Sequence, residues 1–233
     1  EKLGTITLDF TSIVKKYYSE NEIRSKATYN SFSTYANSIK DYLKYTDIAS
    51  YDFYPFPHSD LKYWQVYNSE MLKHKPDAPF AAYLQNFQFG TTEFPTHENM
   101  YGSFVTNFIN GSRSVWFFTY YANSLQTLTT HPYAQSTVRL ISNHAIKLFP
   151  FLCEAKEVKL SLKADSDILY QYYSNGQEGC LMAVNLSSKN PASMELALPG
   201  NGEITDFFDS AWKYKRNSKI TIRPCESIIL KVK

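Results

Sequence analysis

Residues 79–121 read PFAAYLQNFQFG, then TTEFPTHENMYGSFVTNFING, then SRSVWFFTYY. An apolar run ends in the amides Gln85, Asn86 and Gln88. A helix-like segment follows, and a second apolar run ends in Tyr120 and Tyr121. Strand, polar loop, helix, strand is the order found in a parallel α/β sheet. In such sheets the residues at the carboxyl ends of the strands build the ligand site. The runs 80–87 and 115–121 do not alternate, which predicts strands covered on both faces. Between them, Thr96 is placed to cap a helix over 96–109, with Glu98 in its positive first turn and Asn110-Gly111 as its stop.

Upstream, the same pattern predicts strands over 5–10 and 47–54 and helices over 35–45 and 61–74. Leu61, Trp64, Tyr67, Met71 and Leu72 form the apolar face of the last of these. Downstream, a long amphipathic helix over 133–149 carries Val138, Ile141, Ala145 and Leu148 on one side, with Pro150 expected to close it. The period then changes. Short alternating runs at 158–162, 168–173, 180–186, 194–198, 204–208, 220–222 and 227–232 are separated by turn residues such as Asn175-Gly176 and Gly200-Asn201-Gly202, which predicts an antiparallel β-sandwich. The expected organisation is therefore α/β over 1–152 and β-sandwich over 153–233. Four strand–helix units cannot close a (β/α)₈ barrel, which needs eight. They fit the second half of such a barrel (strands 5–8), with a small open α/β sheet as the other possibility.

Composition narrows the function. The 233 residues are 43% hydrophobic and 20% charged, a globular mixture. A formal charge of +2 without a basic helix or tail gives no electrostatic case for nucleic acid. No apolar run is long enough to cross a bilayer, and no secretory leader is recognisable. Nineteen tyrosines are compatible with packing or with sugar binding, and position must decide between them. The three cysteines, Cys153, Cys180 and Cys225, form no CxxC pair. They read as buried thiols, with a Cys180–Cys225 bridge as the alternative. No histidine spacing suits a metal, and no cofactor is expected. Asn110-Gly-Ser and Asn185-Leu-Ser match the glycosylation acceptor pattern. The compartment stays open, with a secreted or cell-surface setting favoured.

The segments DIASYDFYPF, PFAAYLQNFQFG, FPTHENMYGSFVTNFINGSRSVWFFTYY and the run to LFPFL together resemble the second half of β-galactosidase-like glycoside hydrolases. The resemblance rests on Ser50-Tyr51-Asp52, Tyr54-Pro55, Gln85, Pro95-Thr96, Glu98, Phe118-Thr119-Tyr120, and Asn143 with the run 148–152. It implies a glycosidase-type barrel followed by a β-sandwich, and hydrolysis or binding of a β-linked carbohydrate. It also implies that the general acid belongs to the other half of the barrel, carried by a preceding segment or a second chain. Two departures matter. The end of the seventh strand, where related retaining enzymes hold a nucleophilic Glu, reads Tyr83-Leu84-Gln85-Asn86. The eighth strand closes on Tyr121 where Trp is usual.

Glycoside hydrolysis ordinarily needs two carboxyl groups of differing pKa. Asp9, Asp52 and Glu93 lie at strand ends, and Asp52 and Glu93 are the catalytic candidates. Each has a plain alternative: Asp52 as a loop carboxylate held by backbone N–H groups, Glu93 as a solvated loop residue. Gln85 cannot be a nucleophile, but its amide can bind a sugar hydroxyl or brace the barrel top. Tyr54, Gln85, Asn86, Tyr120 and Tyr121 are the substrate-binding candidates. Trp116 sits early in its strand and is expected in the core; Trp212, beside the KYKR run, is expected to pack in the core or a turn, with surface exposure as the alternative. The five histidines read as structural or surface residues. An active hydrolase and a non-catalytic carbohydrate-binding or structural glycoprotein on a degenerate scaffold both fit.

Overall fold

The computed structural model describes residues 29–32, 48–57, 59–74, 80–88, 93–112, 114–118, 130–131 and 133–233. The strand expected at 5–10 and the helix expected at 35–45 lie outside them, as does Asp9.

Strands β1 (Tyr29–Phe32), β2 (Ile48–Asp52), β3 (Phe80–Gln85) and β4 (Ser114–Phe118) form a four-stranded sheet in sequential order, and every neighbouring pair is parallel. Helix α1 (Lys62–His74) connects β2 to β3, and α2 (His97–Ile109) connects β3 to β4. Parallel neighbours require such crossovers. The register sets Asp52 beside Tyr83 and Tyr83 beside Trp116, and one layer further on sets Gln85 beside Phe118. Val115 and Phe117 pack into the core shared with α2, so Trp116 and Phe118 belong to the opposite face.

Helix α2 starts where its sequence says it should. Thr96 holds extended backbone and accepts from Asn99 N at 3.2 Å, while the Asn99 side chain accepts from Thr96 N at 3.0 Å. This reciprocal box satisfies two of the N–H groups a helix start leaves open. Gly111, at φ 96°, ends the helix. From Gly102 to Ile109 every residue of α2 is buried, as is Met100. Gly102 is required by packing: a Cβ there would lie 2.3 Å from the carbonyl oxygen of Cys225.

Helix α3 (Ala134–Glu154) runs past its expected end, because Pro150 lies inside it. The N–H that proline lacks would have bonded the carbonyl of Ile146, a residue 70% exposed and on the solvent side. Water can take that carbonyl, and buried Leu148 and Leu152 hold the turns on either side. The helix ends at Glu154, and Ala155 is extended.

The remainder is antiparallel. A six-stranded sheet runs in the order β10 (Lys213–Tyr214), β9 (Ile204–Asp206), β12 (Ser227–Val232), β7 (Gly179–Asn185), β6 (Ile168–Ser174) and β5 (Lys156–Val158). A two-stranded ribbon pairs β8 (Ala192–Glu195) with β11 (Lys219–Ile222). β7 is buried throughout, and its two faces serve two cores. Cys180, Met182 and Val184 pack with Phe104 and Phe108 of α2, whereas Leu181 and Ala183 pack with Met194 and Ile222 of the ribbon. One hydrophobic layer therefore joins the helices to the antiparallel sheet. The strand expected over 158–162 forms only as β5. Leu160 and Leu162 lean on the second core without pairing, and the two-residue β10 carried no sequence signal. All three cysteines are free thiols, Cys180 and Cys225 buried and Cys153 exposed.

Candidate functional site

The carboxyl ends of β2, β3 and β4 carry an aromatic cluster. Tyr54 stacks on Phe118 at 5.7 Å and 29°, and meets Phe87 edge-on at 4.9 Å. Phe87 in turn meets Phe118 edge-on at 5.7 Å. One layer below, Tyr83 and Trp116 meet edge-on at 5.2 Å. Trp116 is 40% exposed and Phe118 43%, so this face of the sheet is aromatic and open among the described residues. The core position expected for Trp116 is thereby corrected. Period-2 geometry puts Trp116 on the face opposite Val115 and Phe117, and its indole N–H donates to Ser114 Oγ at 2.9 Å. Trp212, also expected to be packed, is 68% exposed in the turn between β9 and β10.

Gln85 is bound to the backbone. Its Oε1 accepts from Phe56 N at 3.0 Å, and its Nε2 donates to the carbonyls of Phe56 at 2.8 Å and Phe87 at 3.2 Å. It is 2% exposed and fixes the chain after β2 against the end of β3. This is the bracing alternative rather than a contact presented to a ligand. Asn86 differs. Its backbone N–H donates to Phe118 O at 2.7 Å, but neither end of its buried side-chain amide has a partner among the described residues. A buried amide left open loses free energy on the order of 1–3 kcal/mol per group unless water or a ligand meets it.

Glu93 is exposed in the segment before α2. Asp52 ends β2 in the layer of Tyr83 and Trp116, and its side chain lies outside the described residues. Tyr120 and Tyr121 lie outside them as well. The sheet thus brings Tyr54 together with Phe87 and Phe118, with Tyr83 in the layer of Asp52, while Asn86 joins this end through its backbone. Sequence reading passed over Phe87, Phe118 and Tyr83 because their strands were treated as uniformly buried runs. Strand parity from Tyr83 through Gln85 would have found two of them.

Three histidines contact neighbouring side chains. His97 Nδ1 is 3.0 Å from Thr137 Oγ1, and His144 Nδ1 is 2.6 Å from Tyr101 OH. His131 stacks on Phe94 at 4.1 Å, and burial lowers its pKa. Among the described residues no group of His, Cys, Asp and Glu could hold a metal ion, and no helix is long and apolar enough to cross a membrane.

This arrangement of a sequential parallel sheet with crossover helices and a following antiparallel sheet is similar in fold to a glycoside hydrolase of known structure. Among solved structures, the chain is similar to a catalytic mutant of a GH42 beta-galactosidase from G. stearothermophilus, with TM-score 0.55 and 10% identity, over 97% of this chain and 68% of that one. A GH30 endoxylanase from Clostridium papyrosolvens matches with TM-score 0.42 and 10% identity, over 82% of this chain and 50% of that one. An alpha-amylase from Geobacillus thermoleovorans matches with TM-score 0.40 and 10% identity, over 85% and 63%. The chain thus spans less than two thirds of the length of the endoxylanase and of the amylase. At such identities the likeness is one of fold. No protein-family model matches the chain, and no curated protein matches it significantly in sequence.

Proposed function

We propose that this chain belongs to a glycoside-hydrolase-like protein that takes a β-linked carbohydrate at the carboxyl ends of β2–β4, in the manner of a β-galactosidase. The observation that carries the reading is the open aromatic face. Tyr54, Phe118 and Trp116 stand where ligands of parallel α/β sheets bind, and aromatic planes suit the apolar faces of sugar rings. Asn86 carries an amide able to meet a hydroxyl, and Tyr120 and Tyr121 follow Phe118 in sequence as further candidates. Asp52 is the first candidate for a catalytic carboxylate, with Glu93 the second. β1 and β4 each have one neighbour among the described residues. The open face is completed by further strands, from a preceding segment or another chain, which also carry the general acid.

One observation favours the alternative of a non-catalytic carbohydrate-binding protein. The end of β3 holds amides, and Gln85 is committed to Phe56 and Phe87. The test is calorimetric titration with lactose and cellobiose, repeated on Trp116→Ala and Tyr54→Ala. Binding that each variant weakens at least tenfold is the expected outcome. Absence of binding in the wild-type chain overturns both readings. Release of sugar from lactose by the protein, abolished in Asp52→Asn, selects the hydrolase.

A further inference from the structure

On the helix side of the parallel sheet, away from the aromatic face, a cleft of about 330 Å³ lies between the start of α2, the middle of α3 and the antiparallel sheet. That volume falls in the range of small-molecule sites. One wall is a chain of rings in contact, two stacked pairs joined by an edge-on meeting of Tyr101 and His144 at 5.6 Å and 88°. His97 lies parallel to Tyr101 at 5.9 Å and 19°, Tyr101 OH meets His144 Nδ1 at 2.6 Å, and His144 lies flat on Phe208 at 3.5 Å and 9°. These rings come from α2, α3 and the segment after β9, so the wall is assembled by the fold.

The polar groups face inward from the other sides. Asp206 is fixed by accepting the backbone N–H groups of Phe208 at 2.8 Å and Asp209 at 3.0 Å. Glu98 enters from the first turn of α2, and among the described residues neither carboxylate is in a salt bridge. Arg223 is bonded to Glu226 at 3.1 Å and 3.3 Å and so offers little free positive charge. Ser227 Oγ is buried at the cleft and has no hydrogen-bond partner among the described residues.

We propose that this cleft is a second carbohydrate site, sized for a neutral mono- or disaccharide, separate from the carboxyl-end rim and independent of the reading given to that rim. The two carboxylates accept from ring hydroxyls, Ser227 gains its missing partner, and Leu140 and Ile229 give apolar contact to ring carbons. The charge balance disfavours phosphates and other anions.

The test is saturation-transfer NMR and calorimetry on the whole chain with lactose, cellobiose and glucose, and with glucosamine and inorganic phosphate as contrasts. Three variants are compared: Leu140→Trp, which fills the cleft, Glu98→Gln and Trp116→Ala. The expected result is a neutral-sugar binding event that Leu140→Trp abolishes, that Glu98→Gln weakens at least fivefold and that remains in Trp116→Ala, distinct from the rim event that Trp116→Ala weakens. If Leu140→Trp fails to fold, Glu98→Gln decides. If the only binding event survives both cleft variants and disappears in Trp116→Ala, the second site is overturned and the rim reading stands. No neutral sugar bound, or glucosamine or phosphate bound alone, also overturns the second site.

Discussion

Asp60 Oδ1 accepts both the backbone N–H of Ser188, at 3.0 Å, and its hydroxyl, tying the loop before α1 to the loop after β7. The next residue repeats the tie, since Leu61 N donates to Leu186 O at 3.1 Å. Burial pushes the Asp60 carboxyl up, but the two Ser188 donors, with Lys62 at 3.2 Å, outweigh it and hold the group below the usual carboxylate range. The Asp60–Ser188 contacts, spanning 128 residues, and the Leu61–Leu186 bond beside them thus fix how the helical layer meets the antiparallel one.

Asp60→Ala removes the acceptor and leaves the Ser188 N–H to find water. Hydrogen bonds to a charged group contribute about 1–3 kcal/mol, and urea denaturation of the variant is expected to show a loss of that order. Because the folded pKa is depressed, the contribution is complete above the unfolded carboxylate pKa. It disappears as pH falls through the folded value. The difference between wild type and variant therefore shrinks in strong acid.

Gln85→Ala orphans Phe56 N and the carbonyls of Phe56 and Phe87 in a buried setting. The expected loss is about 3 kcal/mol, read from the denaturation midpoint. A variant that keeps its stability but loses sugar binding would return Gln85 to the ligand contacts.

Gly102→Ala weighs two effects. Alanine favours a helix over glycine by about 1 kcal/mol. Here its methyl meets the Cys225 carbonyl at 2.3 Å and Leu61 Cδ1 at 2.8 Å. Backbone on one side and core on the other leave nothing flexible to yield, so overpacking wins, with a net loss of about 2 kcal/mol expected in thermal or chemical unfolding.

His144 sets an acid limit. Burial lowers its pKa; Asp206 opposes this, while Lys147 and His97 add to it, and Tyr101 holds its Nδ1. An unfolded histidine takes a proton near pH 6.5, and the folded one does so lower. Below about 6.5 the unfolded chain therefore binds more protons, and stability declines until the folded pKa is passed. His144→Phe keeps a ring on Phe208 and removes the titration. Its midpoint is expected to fall less than that of the wild type between pH 7.5 and pH 5.

The sequence made some of these features legible and hid others for physical reasons. Thr96 and Gly111 announce α2 because caps are local chemistry, and the change of period after residue 155 marks the antiparallel sheet. Pro150 misled because a helix held by tertiary packing can carry a proline on its wet side. Trp116 misled because a buried run and a run with one open aromatic face have the same composition. The bond between Gln85 and Phe56, the tie between Asp60 and Ser188 and the chain of rings ending on Phe208 join residues far apart in sequence. No local spacing encodes them.

Helix α2 has almost no solvent side, and its apolar wall is closed by β7 and β12. During vectorial synthesis on the ribosome, α2 emerges well before either strand. Until residues 179–232 arrive it presents a greasy surface to the cytosol or translocon, and this is the interval in which the nascent chain most needs a chaperone.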